Sequence, residues 1–377
     1  MNISHPLLKK IDINNISNID IAFRKIEELG LKCKIYNDTI IVKYPKSLKH
    51  TNEDYILKSR GIIIDFTNKK IINQSIDGCM SYEDFKQAHE DNWNNIVIEK
   101  CLDGILFNVY YHANKWCIST KFCVDADESK FKNNKTYRQL FDEVMPDCIQ
   151  HLDKSYTYSF LLQHCDARNV SVITRNKLFH LESTNNITGD KVQITIPEID
   201  SVEILKYGAQ INKLGVHSYK ELEDAVSSWN WSIPGVMLYT ADRRHRTKLP
   251  NCNFKRVHDI VVNQPNLKYL IVESIYKKRN LPELLKYFPE YSALSVEVNN
   301  AFSTYAINTH QFYITCKIKS TYVELPKHYK KIICDLHNIY KSQRSLGNKH
   351  YKITYNIVCD TIRSYDTSYL YSILFPK

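Results

Sequence analysis

The stretch VIEKCLDGILFNVYY, residues 97–111, decides how this chain is read. Its apolar positions, Val97 and Ile98 on one side and Leu106, Phe107 and Val109 on the other, read as two strands interrupted at Cys101-Leu102-Asp103-Gly104. In a strand, neighbouring side chains point to opposite faces, so Lys100 and Cys101 are predicted to face opposite ways unless a bulge re-aims one of them. Both carry nucleophilic chemistry: a lysine amine or a cysteine thiolate attacks an electrophile once it is placed and activated. Glycine is scarce, 9 residues in 377, and a residue this rare tends to sit where the backbone needs it. Gly61, Gly104 and Gly235 are therefore marked positions.

Working outward, bulk properties bound the function. The length allows two domains of ordinary size, and 43% hydrophobic with 24% charged residues is a globular composition. The formal charge of +10 favours a polyanionic partner, nucleic acid or nucleotide. No stretch reaches the length of a membrane span, and the start, MNISHPLLKKIDINN, lacks an apolar secretion core. The 11 cysteines are scattered singly without a Cys-x-x-Cys pair, which reads as reduced thiols in a cytoplasmic setting. Abundant Asn, Ile, Lys and Tyr point to an A/T-rich genome, such as that of a large DNA virus or a parasite; for a virus, the compartment is the host cytoplasm.

Along the chain, IDIAFRKIEELG reads as an amphipathic helix closed by Gly30, followed by strands KCKIY and TIIVKY. RGIIIDF and KIINQS form a hairpin, SYEDFKQAHED a helix, and ILFNVYYHANKWCIST a second hairpin. TYRQLFDEVM is helical, and YTYSFLLQ, NVSVIT and KLFHLES read as further strands. Helix SYKELEDAVSSWN leads to strand PGVMLYT and the basic run Arg243-Arg244-His245-Arg246-Thr247-Lys248. Beyond about residue 260, NLPELLKYF, PKHYKKIICDLHNIYKS and ITYNIVCDTIRSYDTSYLYSIL have helical spacing. The expected architecture is an α+β domain over 1–260 and a mostly helical domain over 261–377.

Several segments, in order, resemble the bacteriophage-type RNA ligase 1 family of ATP-dependent RNA ligases, within the covalent nucleotidyltransferases. KCLDG is similar to the nucleotide-accepting motif Lys-x-Asp-Gly with its lysine one residue early, and Ser59-Arg60-Gly61 resembles the Arg-Gly element upstream. CISTKF, with Lys121, resembles the Ser-Lys segment; FLLQHCDARNVSV, PGVML and Arg246-Thr247-Lys248 resemble the three motifs that follow. The resemblance covers about residues 20–270 and implies a nucleotidyltransferase fold, with antiparallel sheets around a cleft lined by Asp103, Lys121 and Lys248. It implies phosphate-binding roles for Arg60, Gly104, Lys121, Arg246 and Lys248, and a catalytic role for Asp103. The departures fall on the catalytic side. The nucleophile maps to Cys101, and two acidic positions map to Leu161 and Pro234, whose side chains neither ligate magnesium nor accept hydrogen bonds.

Three readings follow. The first is a catalytically degenerate RNA ligase-like protein that holds nucleotide or RNA ends in a basic cleft. The second is an active ligase, with ATP and magnesium as cofactors and Lys100 as the adenylylated nucleophile. The third is an interaction protein with an empty inherited cleft and a protein partner on its helical domain. Each residue also has a structural reading: Lys100 as a solvated strand lysine, Cys101 as a small core residue, and Asp103 as a carboxylate that bonds the backbone. No metal-ligating pattern stands out, since His164 and Cys165 are adjacent, which is poor metal spacing. No membrane association is expected.

Overall fold

The computed structural model describes residues 5–48, 51–131, 135–145, 147–192, 204–206, 215–261, 264, 266–277, 280–319, 321 and 323–376. The chain divides into two compact units, Met1–Asp259 and Ile260–Lys377. Helices α1 (Pro6–Ile11) and α2 (Ile19–Glu28) lead into a four-stranded sheet of β1 (Lys32–Tyr36), β2 (Thr39–Lys43), β3 (Arg60–Asp65) and β4 (Lys70–Asn73), with α3 (Asp54–Leu57) between β2 and β3. Ile40, Val42, Ile62 and Ile64 pack on Ala22 and Ile26 of α2, while the alternate residues Ile41, Ile63 and Ile72 meet Tyr110 on the other face. This is the period-two division of a sheet buried on both sides.

After α4 (Tyr82–Ala88), strand β5 (Ile96–Lys100) leaves for a different sheet from the strand that follows it, β6 (Ile105–His112). The KCLDG segment is therefore a crossing point between two sheets. Strand β6 pairs with β7 (Lys115–Ser119) and, after α5 (Tyr137–Asp142), with β8 (Tyr156–Gln163). Strands β9 (Lys177–Asn185), β10 (Lys191–Val192) and β11 (Ile204–Lys206) complete this six-stranded sheet. One of its faces, Phe107, Phe160, Leu162 and Leu178, packs on Leu140 and Phe141 of α5. Helix α6 (Tyr219–Ser227) precedes β12 (Gly235–Thr240) and β13 (Arg246–Pro250), which join β5 in a three-stranded sheet ordered β13-β12-β5. Helix α7 (Cys252–Val261) follows.

Ile260–Lys377 is built from α8 (Leu267–Tyr276), α9 (Leu281–Tyr287), α10 (Ser292–Tyr313), α11 (Lys327–Ser345), α12 (Tyr355–Ser364) and α13 (Thr367–Leu374). The 353–374 segment, read from sequence as one helical stretch, holds two helices, because Asp366 caps a new start by accepting from the Tyr369 N–H. Sheets that are antiparallel apart from the parallel β9–β11 pair, followed by helices, are the fold class that the sequence implied. One strand differs: NVSVIT, residues 169–174, forms no strand, for a reason found in the site. No helix among the described residues is long and apolar enough to cross a membrane.

Candidate functional site

The three-stranded sheet orients most of the site. Met237 of β12 pairs with Lys248 of β13 and Glu99 of β5, and Tyr239 pairs with Arg246 and Val97. Since side chains alternate, Arg246, Lys248, Met237, Tyr239, Glu99 and Cys101 share one face. The other face carries Ile98, Val236 and Leu238 into a core with Phe85 of α4 and Leu222 and Val226 of α6. Lys100, opposite Val236, has the parity of that second face and is exposed. Cys101 continues the ladder, its N–H donating to the Gly235 carbonyl at 2.9 Å.

The first face forms one wall of a cavity of about 730 Å³, which Cys101 lines and Lys100 does not. The six-stranded sheet contributes Leu106, Leu161 and Glu182; the four-stranded sheet contributes Lys32, Lys43 and Arg60. Arg60 arrives there through a bulge. Val42 pairs with Ile62, but Lys43 pairs with Arg60, so Gly61 is skipped. Without the skip Arg60 would point into the core beneath β3; with it, Arg60 and Lys43 share the cavity face. Gly61 has φ +81°, and a Cβ there would lie 2.8 Å from the Lys121 carbonyl oxygen, so this glycine also lets the loop carrying Lys121 come close. Gly104 is similarly confined: an added Cβ would sit 2.5 Å from both Leu161 Cδ2 and the Leu162 carbonyl oxygen.

Charge in the cavity is one-sided, with eight basic side chains against two carboxylates. Arg246 is 6% exposed; its Nε donates to the Gly78 carbonyl at 3.1 Å, and Nη2 is buried with no protein partner. Arg60 donates weakly to the Asp77 carbonyl at 3.4 Å, and its Nε is also buried without a partner. Burial pushes the Lys43 ammonium below its ordinary pKa, and Lys32 and Lys34 push it further. Buried donors without acceptors are costly, and an anion is the ligand that would satisfy them. Cys101 sits beside Lys248, but burial outweighs the lysine and raises its thiol above the ordinary value. A raised thiol pKa is opposite to what an activated nucleophile needs.

Two carboxylates enter this basic cavity. Glu99 is 1% exposed; Oε1 accepts from Arg243 Nη2 at 2.5 Å, and Oε2 has no partner. Arg243 has φ +56°, a left-handed conformation unusual for arginine, and its guanidinium lies 4.8 Å from the Tyr239 ring centroid. Glu182 pairs with Lys191 at 3.3 Å, and Lys191 also reaches Asp77 at 2.7 Å.

The positions singled out from sequence divide. Arg60, Gly104, Lys121, Arg246 and Lys248 all line the cavity, as do Cys101 and Leu161. Asp103 corrects the expectation, because it does not line it. Its Oδ2 accepts the N–H groups of Val170 and Ser171, each at 2.9 Å, and its Oδ1 accepts from Asn169 Nδ2 at 3.3 Å. That clamp also explains the missing strand, since backbone donors that a ladder would use go to a carboxylate instead. The basic run is split by the turn between β12 and β13: Arg246 and Lys248 on β13, with Arg243, line the cavity, while Arg244 in the turn is exposed beside Asp242. Glu99, Glu182, Lys32 and Lys43 were not singled out, and Arg243 only as part of the basic run. Glu99 was within reach, because it lies two residues before Cys101 on the same strand and so shares its face.

One cluster elsewhere has metal-like ligands: Glu143, His164 and Asp166 bring their ligand atoms within 4.8 Å of one another. The Lys135 ammonium already bridges the two carboxylates, at 2.8 Å from Glu143 and 2.7 Å from Asp166. Cys165, the neighbour of His164, takes no part.

No protein-family profile matches the sequence. Over 205 residues the chain is 27% identical to an RNA ligase of Rhodothermus phage RM378, covering 45% of this chain and 47% of the phage protein. Over 304 residues it is 22% identical to an immediate-early protein ICP-46 homolog of Invertebrate iridescent virus 6, covering 74% of this chain and 64% of the viral protein. The chain thus spans about half to two thirds of the length of these viral relatives. Among solved structures, an archaeal ATP-dependent RNA ligase (form 1) superposes with a TM-score of 0.43 at 9% identity, over 79% of this chain and 82% of its own.

Proposed function

From this chain's sequence kinship with a phage RNA ligase, we propose that it binds nucleotides or RNA ends in an RNA ligase-like cleft and has lost lysyl-nucleotide chemistry. The observation that carries the reading is the pair of buried, unpartnered guanidinium nitrogens, Arg246 Nη2 and Arg60 Nε, in a cavity that presents Cys101 where the resemblance calls for a lysine. Phosphate oxygens supply the acceptors that these nitrogens lack, and Arg recognises phosphate through planar, charge-assisted bonds. Lys121 and Lys248 add charge at the same cavity.

ATP fits this donor set through its phosphates. A divalent cation fits less well, because Leu161 and Pro234 stand at the acidic positions that the resemblance implies; Glu99 and Glu182 each hold one ion pair, with Arg243 and Lys191, and each keeps an oxygen without a hydrogen-bond partner. Asp103 serves the cleft indirectly in this reading, by fixing the loop of residues 169–171 against the KCLDG segment.

Incubation with radiolabelled ATP or GTP and magnesium or manganese, followed by a denaturing gel, tests the loss of chemistry. The expected result is no labelled band, together with reversible nucleotide binding that Lys248→Ala weakens. A band that disappears in Lys100→Ala would replace this reading with an active ligase. Absence of any nucleotide, polyphosphate or RNA binding would leave the interaction-protein reading in its place.

A further inference from the structure

Aromatic and cationic side chains meet at a second place, away from the cleft. The β6–β7 hairpin turns through Ala113 and Asn114, both at positive φ (+48° and +61°), the backbone of a two-residue turn that follows strand twist. This tight turn sets Tyr111 directly opposite Trp116. Their rings stand edge to face, with centroids 5.3 Å apart and planes at 69°. Trp116 is anchored against the core, with Tyr158 at 6.4 Å. Both rings are half-buried, and both line a cavity of about 580 Å³.

Strand parity separates this cavity from the cleft. Leu106, opposite Leu161, faces the cleft, while Phe107, opposite Phe160, packs toward α5. Tyr111 has the parity of Phe107 and Val109, so the second cavity opens on the α5 side of the six-stranded sheet. Its charged lining is Lys115, Arg138 and Lys154 against Asp142 alone. Arg138 is oriented by Asp142, with Nε 3.0 and 2.8 Å from the two carboxylate oxygens, which engages one of its five N–H donors. Lys154 is exposed, and its ammonium lies 4.4 Å from the Tyr111 ring centroid, over one face of the ring. A phosphate draws such an ammonium aside, and a base takes the face it leaves. Half-open rings beside cations from three segments of the chain are the parts of a single-stranded nucleic-acid site, in which bases stack and phosphates pair.

We propose that the β6–β7 hairpin and α5 form a second nucleic-acid site. A base of a single strand stacks on Trp116 and Tyr111, and its flanking phosphates meet Lys115, Arg138 and Lys154. The site lies on the opposite face of the sheet from the cleft and does not depend on the cleft's ligand.

The test uses the full chain and fluorescence anisotropy. It compares oligothymidylate of about 15 nucleotides with an abasic oligodeoxynucleotide of equal length and charge, so that only stacking differs. The expected result is that oligothymidylate binds about tenfold tighter, the gap of one stacked base. Trp116→Leu and Tyr111→Leu should each shrink that gap. Lys115→Ala combined with Lys154→Ala should weaken both strands alike and leave the gap in place. The proposal is overturned if the unmodified protein binds the two strands equally, or if the gap survives both ring substitutions. Should a ring variant lose its fold by circular dichroism, photo-cross-linking of a 5-iodouracil oligonucleotide to the unmodified protein decides. An adduct on Tyr111 or Trp116 supports the site, whereas adducts confined to the cleft, at Tyr44 or Tyr239, overturn it. A phosphotyrosine peptide that occupies the two rings more tightly than the strand would also overturn it, in favour of a phosphoprotein partner.

Discussion

At the scale of single residues, burial decides which groups can change charge. His5 caps α1: its Nδ1 accepts the Leu7 N–H at 3.3 Å, which only a neutral imidazole can do. Burial, with Lys58 nearby, pushes its pKa from 6.5 down to about 4. His180, which meets Ser183 Oγ at 2.9 Å, is pushed down to about 4 by burial as well. A folded-state pKa below the unfolded value means that the unfolded chain takes the proton first. The associated stability is therefore present above about pH 6.5 and is lost as pH falls toward about 4. A shift of this size corresponds to on the order of 3 kcal/mol for each histidine. Urea unfolding should show a plateau above pH 7 and a decline below pH 6.5, and His5→Asn, which keeps a capping side chain that does not titrate, should decline less. An equal decline in the variant would rule out His5 as a source. Asp103 makes a second point at this scale. Its type and its neighbour Gly104 were legible, but its partners Val170 and Ser171 lie 67 and 68 residues away, and no local pattern reports such a pairing.

At the scale of elements, one skipped residue in β3 does much to assemble the site. The Gly61 bulge turns Arg60 from the core side of its sheet to the cavity side and lets the Lys121 carbonyl approach. Gly61→Ala adds a Cβ at φ +81° and 2.8 Å from that oxygen, so either the strand or the loop must shift. The expected cost is about 1–3 kcal/mol of stability. A polyphosphate titration should show a loss of affinity too, because Arg60 and Lys121 both depend on the bulge. If Gly61→Ala is less stable but binds polyphosphate normally, the bulge serves the fold and not the site. The strands themselves were readable from alternation, since β2, β3, β5, β6, β8 and β12 are rich in branched and aromatic residues. The bulge was not readable, because the same letters pair in regular register until the Lys121 loop is packed against them.

At the scale of the whole molecule, a formal charge of +10 and a cavity lined by eight cations act together on a polyanion. Binding of single-stranded RNA should weaken with salt, at a log–log slope of about −0.7 for each phosphate neutralised. Lys121→Ala and Lys248→Ala should each make that slope shallower by about 0.7, as one lost contact requires. Lys100→Ala, an exposed lysine outside the cavity, is the control and should leave the slope unchanged. An equal effect of all three substitutions would mean that RNA follows net charge and not the cleft. From the sequence alone one could read where β2, β3, β5, β6, β8 and β12 run, that Lys100 and Cys101 part to opposite faces, and that scarce glycines mark close approaches, because periodicity and backbone sterics act within a few residues. Packing of the sheets against one another was needed to make Glu99 a cavity acid bonded to Arg243, to turn Arg60 to the cavity and to draw Asp103 away from it. Those outcomes depend on contacts between sheets formed by distant parts of the chain, where burial sets the value of every charge and hydrogen bond.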